Sequence, residues 1–352
     1  MDDVTLPHPM QVNIPREALE RDYHNVLVDR CVSPLWHFRL NLHKSTRIAP
    51  GGEMPPSRTA PFQTLALFQR PEPLADLEVF GLDLPVDVDP ADWLALWLEQ
   101  HGLKVESSTP VPTPRGVFGD CVCTWDTPDG PFAGRFVAMR WGRRLFLIAQ
   151  RTPRANYEAL ADDYFAALSS FAPVEIDERA LNAEGRQTLT LPTPIAASVS
   201  LPVSYAATME LSQEQVTAFS AEQQAIAELP DDPTFGKLNF LLGDLSLADH
   251  PGKAAALYFK PLMENPITLG GDEFNEEPAP APFLQSWLLT APAVINQPDG
   301  QQVPYEVRCR VMAHGRAWFV AGVLGPARHI APIAWMRNKR ALDLVCTTVN
   351  IT

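Results

Sequence analysis

The chain has 352 residues, 46% of them apolar and 20% charged, with a formal net charge of −14. That composition excludes disorder driven by charge and allows two domains of ordinary size. It also argues against a nucleic-acid backbone or an anionic membrane surface as partner, because both call for a basic footprint. The 35 prolines favour short strands and loops over long helices.

The N-terminal "MDDVTLPHPMQVNIPRE" has neither a basic n-region nor an apolar h-region, and no run of about 18 apolar residues occurs in the chain. Neither a signal peptide nor membrane insertion is expected, and a cytoplasmic location is. Cys31, Cys121, Cys123, Cys309 and Cys346 are odd in number and lack C-x-x-C spacing, so reduced core cysteines are expected.

Residues 1–60 read as an N-terminal arm, with "LWHFRLNL" as a strand and "APGGEMPPSRTAP" as a loop. A first α/β domain is expected over 61–174. Residues 62–69 and 75–84 alternate apolar and other residues, as half-buried strands do. Residues 89–102 predict a helix: Asp89 suits the N-cap and Pro90 the first turn, Trp93, Leu94, Trp97 and Leu98 form an apolar stripe, and Gly102 suits the end. Strands follow at "LKVESSTPVP", "VFGDCVCTWD", "GRFVAMRW" and "RLFLIAQR", and then a helix over 156–171.

Residues 175–187 are polar and read as a linker. The second domain, 188–352, is expected to hold strands at "TLTLPTP" and "SVSLPVSYAATM" and a helix over 212–229 with Val216, Phe219, Gln223 and Ile226 on one side. Strands at "KLNFLLGDLSL" and "AAALYFKPLM" come next. An acidic, Pro-rich insertion is expected near 264–282 and a closing helix over about 333–349.

Residues 128–154 and 298–328 form an internal repeat. With Pro131 set against Pro304, Arg135 meets Arg308, Met139 meets Met312 and Gly142 meets Gly315. Arg143 then meets Arg316, Phe146 meets Phe319 and Pro153 meets Pro326. The Pro-Asp-Gly turn also matches if three residues are added. Gly142 and Gly315 stand where a tight hairpin needs a positive φ. Each copy closes with a helix, which implies duplicated domains.

The Gly-turned hairpin, its Gln-bearing strand and the aromatic helix after it, "GRRLFLIAQRTP…YEALADDYFAALSSF", resemble the small α/β fold shared by PsbP and the DcrB-like proteins. The resemblance implies an α+β chain of two tandem domains, each an antiparallel sheet packed against helices. It further implies a non-enzymatic protein-binding role, as a chaperone or adaptor linked to bacterial secretion. The partner would be an apolar helix or secreted effector, with no cofactor. A structural subunit of a larger assembly is the alternative.

"GGDEF" at 270–274 matches the five letters of diguanylate cyclases, which place them on a hairpin between apolar strands with the acids on Mg²⁺. Here three prolines follow within five residues, so an enzyme of that type is disfavoured and a solvated acidic loop is expected. No catalytic triad elbow, P-loop or metal-ligand spacing occurs, so no catalytic or metal residue is assigned.

The candidate binding residues are Arg135, Arg140, Trp141, Arg143, Arg308 and Arg316. The arginines form a basic cluster in an acidic chain, suited either to an acidic partner segment or to solvent-facing pairing with nearby Asp and Glu. Trp141, beside the turn at Gly142, is the tryptophan expected to be exposed.

Overall fold

A computed structural model describes residues 5–31, 33–49, 62–113, 116–175, 183–191, 197–211, 216–225, 236–244, 251–256, 267–296, 301–315 and 317–351. The chain divides into two compact units, Met1–Ala183 and Glu184–Thr352. Residues 50–61, most of the expected linker (176–182) and Arg316 lie outside the described residues.

In the first unit, helix α1 (Arg16–Asp22) leads into β1 (Tyr23–Val28) and β2 (Phe38–His43). Then come β3 (Arg47–Ile48), β4 (Phe62–Arg70) and β5 (Ala75–Asp83). Helix α2 (Pro90–Gln100) is followed by β6 (Lys104–Ser108), β7 (Val111–Thr113), β8 (Gly116–Thr127), β9 (Gly130–Trp141) and β10 (Arg144–Pro153). Helix α3 (Tyr157–Ser170) and β11 (Ala172–Pro173) close the unit. The main antiparallel sheet runs β3-β4-β5-β10-β9-β8-β6, with β7 on β8, and a small sheet runs β1-β2-β11. The arm expected over 1–60 therefore supplies strands to this unit's sheets.

Helix α2 ends as its residues dictate. Gly102 has φ +65°, its N–H bonds the Glu99 carbonyl, and the Leu103 N–H bonds the Leu98 carbonyl at 3.0 Å. This is the double bond of a Schellman end, which a Cβ-free residue makes without strain. The start differs from expectation: Asp89 makes no capping bond, and its Oδ1 accepts instead from the Val117 N–H of β8 at 3.2 Å.

Strand β10, "RLFLIAQRTP", is buried from Arg144 to Gln150. It lies at the middle of the sheet, between β5 and β9. Helix α3 packs on β2 and β10, and α2 packs on β8 and β9. A strand covered on both faces loses the polar half of its alternation, which is why this one reads as a continuous apolar run. One cluster gathers Phe38, Phe68, Phe146, Ile148 and Phe171, and a second gathers Val122, Ala133, Tyr157, Leu160 and Tyr164.

The second unit repeats the topology. Its strands are β12 (Arg186–Leu191), β13 (Ala197–Pro202), β14 (Tyr205–Leu211), β15 (Val216–Gln223), β16 (Lys237–Asp244), β17 (Ile267–Leu269), β18 (Asn275–Glu277), β19 (Gln285–Asn296), β20 (Gln302–His314), β21 (Ala317–Pro326) and β22 (Asn350–Ile351). The closing helix is α4 (Pro332–Thr348). The sheet order, β14-β15-β16-β21-β20-β19-β17 with β18 on β19, is that of the first unit strand for strand, and β12-β13-β22 mirrors β1-β2-β11.

The register repeats as well: Phe132 pairs with Pro153 as Tyr305 does with Pro326, and Met139 pairs with Phe146 as Met312 does with Phe319. Two-residue turns close both hairpins, with Gly142 at φ +61° and Gly315 at φ +56°. The chain is thus α+β, with two tandem units each built on an antiparallel sheet packed against helices.

Three expectations are corrected in the second unit. The helix expected over 212–229 is strand β15 over its described core. Phe219 and Ala221 are buried with Gln223 at a period of two, and Phe219 stacks on Phe240 of the next strand at 5.0 Å. Among the described residues a helical turn lies instead at 251–256, overlapping the first three residues of "AAALYFKPLM", expected as a strand, and Ala254 and Ala255 are buried there.

The acidic segment around "GGDEF" is not a loop throughout: β17 and β18 pair with β19, the Gly270 N–H bonds the Pro292 carbonyl at 2.8 Å, and Leu269 and Phe274 pack on the core. These two strands occupy the places of β6 and β7 in the first unit, so the segment belongs to the repeated plan rather than interrupting it.

No helix of the described residues is long and apolar enough to cross a membrane. Cys121, Cys123, Cys309 and Cys346 are buried, and Cys31 is half-buried. Burial raises the pKa of the Cys121 thiol and pushes that of Cys346 up to about 12, which suppresses the reactive thiolate. A disulfide-exchange reagent at neutral pH should therefore modify Cys31 first in the native protein. The other four should react only after denaturation, which timed thiol titration with and without urea will show.

Candidate functional site

The first unit carries a groove of about 340 Å³ at the turn joining β9 to β10, lined by Leu35, Trp36, Asp83, Trp141, Gly142, Arg143 and Arg144. Its floor is aromatic. Trp36 lies on a short 3₁₀ turn (Pro34–Trp36) just before β2, and Ser33 caps that turn by accepting from the Leu35 N–H at 3.3 Å. Trp36 packs edge-on to Phe146 at 5.3 Å, and Trp141 meets the same ring at 5.7 Å. Phe171, at the end of α3, stands 5.3 Å from Phe146 and 6.0 Å from Trp141. Leu35 projects beside this floor with 47% of its surface exposed.

The rim is polar. Arg143 makes a two-point pair with Asp83, Nε to Oδ1 at 3.0 Å and Nη2 to Oδ2 at 3.2 Å, with both side chains largely solvated. A pair this exposed is worth about 0–1 kcal/mol, so its partners exchange at little cost. Arg144 is buried and donates to the carbonyls of Leu35 and, at 2.9 Å, Glu175, which fixes the Leu35 turn against the hairpin.

The sequence-predicted residues fall into three groups. Trp141 and Arg143 come together at the groove, although Trp141 is only 9% exposed: it is part of the floor rather than a free surface ring.

Arg135 and Arg140 do not face solvent. Arg140 is wholly buried with Asp87 and donates to the Val88 carbonyl at 2.8 Å. Arg135 grips Asp120 through Nε and Nη2 at 2.9 and 2.6 Å and lies over the Phe165 ring of α3 at 5.0 Å. Burial alone would raise the pKa of Asp120, but the bonds from His8 and Arg135 outweigh it and hold the carboxyl below its ordinary value.

Arg308, the repeat partner of Arg135, also stacks on an aromatic of its closing helix, Trp335 at 5.8 Å. It stands 3.8 Å from Glu306. The repeated strand arginine thus serves to seat each closing helix. Arg316 is outside the described residues.

Sequence reasoning missed Leu35, Trp36 and Asp83. The Pro34-Leu35-Trp36 run was visible as an apolar pair behind a proline. Asp83 had no local signal, because it meets the hairpin only through the pairing of β5 with β10, where it stands opposite Arg144.

A smaller cavity, about 30 Å³, lies near Arg70, Asp163, Gln150 and Tyr164. Tyr23 donates to Asp163, which also takes Arg70 at 2.5 Å, so the polar groups there tie β1 and β4 to α3. Among the described residues no group of three or more His, Cys, Asp or Glu is placed to hold a metal ion.

No protein-family model matches the chain, and no curated protein matches it. Among solved structures, similarity is found to a protein of Bacteroides thetaiotaomicron, at 10% identity and TM-score 0.28 over 50% of this chain and 52% of that one. The chain thus spans about half the length of that relative. The Ran-binding protein Mog1p of Saccharomyces cerevisiae matches at 10% identity and TM-score 0.31, over 48% of this chain and 96% of its own. The type VI secretion immunity protein TplEi of Pseudomonas aeruginosa, solved with a peptide, matches at 11% identity and TM-score 0.22 over 89% and 95% of the two chains. All three scores lie below 0.5.

Proposed function

We propose that the chain is a protein-binding module whose first unit takes up a partner segment in the Trp36–Trp141 groove. The observation that carries this reading is the groove's make-up: a fixed aromatic floor, an exposed Leu35 beside it and a readily exchanged Arg143–Asp83 pair at the rim. Buried aromatic pockets with a polar rim are where binding energy concentrates in protein interfaces. A volume near 340 Å³ is at the low end for ligand sites. It therefore suits one or two anchoring side chains of a larger partner rather than a whole small molecule. The matching segment carries an apolar anchor with a carboxylate beside it, which takes Arg143 from Asp83. In its finer form the role is that of a cytoplasmic chaperone or adaptor for a secreted effector, and this part rests on the DcrB-like resemblance of the hairpin and helix 142–171.

The test is site-specific photo-crosslinking of the full chain in the cells that make it. A crosslinker at position 35 should trap a defined partner, and Arg143→Glu should lower the yield about tenfold, as reversal of a rim charge does. A crosslinker at Leu284, 77% exposed in the other unit, serves as control. Equal capture at 35 and 284, or capture indifferent to Arg143→Glu, overturns the reading. A secreted protein as the trapped partner would support the chaperone form.

A further inference from the structure

We propose that the first unit holds a second peptide site, filled by its own N-terminal segment and able to accept in its place a partner segment of the same kind: an apolar residue followed by Pro-His-Pro. This site is separate from the Trp36–Trp141 groove and does not depend on that reading.

Residues 5–13 adopt no helix or strand, yet Leu6 to Pro9 are held closely. Leu6 is buried in the cluster of Val122, Ala133, Tyr157 and Tyr164. His8 bridges two strands, with Nε2 3.0 Å from Asp120 Oδ1 on β8 and Nδ1 2.8 Å from Ser107 Oγ on β6. Arg135, already paired with Asp120, donates through Nη1 to the Pro9 carbonyl at 2.8 Å and meets the Met10 sulfur at 3.7 Å. Beyond this point Met10 to Asn13 are exposed, and the next tie is at the surface, where the Asn13 amide donates to Asp162 Oδ1 of α3 at 2.8 Å.

The arrangement reads a sequence. Arg135 keeps Asp120 ionised, so the histidine's Nε2–H donates to it. Nδ1 meets the Ser107 hydroxyl, which can donate or accept, so both ring nitrogens are recognised. Ser107, His8 and Asp120 are the residue types of a nucleophilic relay. But Asp120 is committed to Arg135, and Ser107 lines neither cavity described above. The array acts as a clamp on the imidazole.

Pro7 and Pro9 stiffen the segment in an extended form, which lowers the entropy lost on docking, as in other proline-rich ligands. A fully buried Arg–Asp pair is costly for a fold to keep, and hydrophobic residues of the same volume would serve packing as well. Here the pair aims a donor at the backbone of an irregular segment, which packing alone does not ask for. Local openings favour segments with few backbone hydrogen bonds and exposed tethers.

A tethered occupant weakens a free competitor by the fraction of time the site is open. The probe is a fluorescent peptide of residues 5–14, TLPHPMQVNI, titrated into the full chain. It should bind Leu6→Asp and His8→Ala chains at least about tenfold more tightly than the wild type. Replacing the histidine of the peptide with alanine should weaken that binding by about tenfold. Both variants should keep the circular dichroism of the wild type. Folded variants that take up the peptide no better than the wild type, or binding indifferent to the peptide's histidine, would overturn the proposal. Loss of the native fold in both variants would also overturn it, since the segment would then be part of the core rather than an occupant.

Discussion

Asp87→Ala is expected to lower folding stability by about 3–5 kcal/mol, measured by urea unfolding of the full chain. Asp87 lies on the buried connection from β5 to α2, where Leu84, Val86 and Val88 are also enclosed, and its carboxylate meets the guanidinium of Arg140, itself 0% exposed on β9. Removing the acid takes a carboxylate from a wholly buried guanidinium, and desolvation rather than lost attraction sets the size of the effect. Replacing both members, Asp87→Leu with Arg140→Met, should recover most of the loss, because a paired buried charge is often no better than apolar packing of like volume.

The neighbouring pair gives the contrast. Arg143 and Asp83, at the solvated groove rim, have the same chemistry, yet Arg143→Ala should cost under about 1 kcal/mol. If the two single substitutions cost the same, burial is not what distinguishes these pairs.

That contrast also marks where the sequence stops informing. Arg135, Arg140 and Arg143 stand on one hairpin, and nothing local separates its buried from its solvated members. Their partners lie far along the chain: Asp120 is 15 residues from Arg135, Asp87 is 53 from Arg140, and Asp83 is 60 from Arg143. Only sheet pairing brings them together. Features with local causes could be read directly. Gly142 and Gly315 need a positive φ, and both have it; Gly102 ends its helix by the expected bonds.

Strand β15 misled because Val216, Phe219 and Gln223 satisfy a helical spacing, while the deciding contact, Phe219 on Phe240, comes from another strand. The proline run after "GGDEF" favours a loop when taken alone. Yet two three-residue strands fit ahead of it on the sheet edge, where prolines are tolerated. Of the groove, the hairpin half was legible through Trp141 and Arg143. The Trp36 half was not, because it depends on a 3₁₀ turn tied by Arg144 to a strand more than a hundred residues later.

Phe146→Ala should be the most damaging single change at the groove, with about 3–5 kcal/mol lost. Its ring is wholly buried and touches Trp36, Trp141 and Phe171 at once, so truncation opens a cavity under both tryptophans of the floor. Two readouts separate the consequences. Urea unfolding reports the cavity, and red-shifted tryptophan emission reports water reaching the floor. Phe319 supplies the internal control. It occupies the same register position in the second unit, is equally buried, and packs 4.7 Å from Phe240 and 5.2 Å from Phe283. Phe319→Ala should cost comparable stability while leaving crosslinking at position 35 intact, whereas Phe146→Ala should abolish it under conditions where the first unit stays folded. Equal loss of capture from both would mean that partner binding follows general stability and not the aromatic floor.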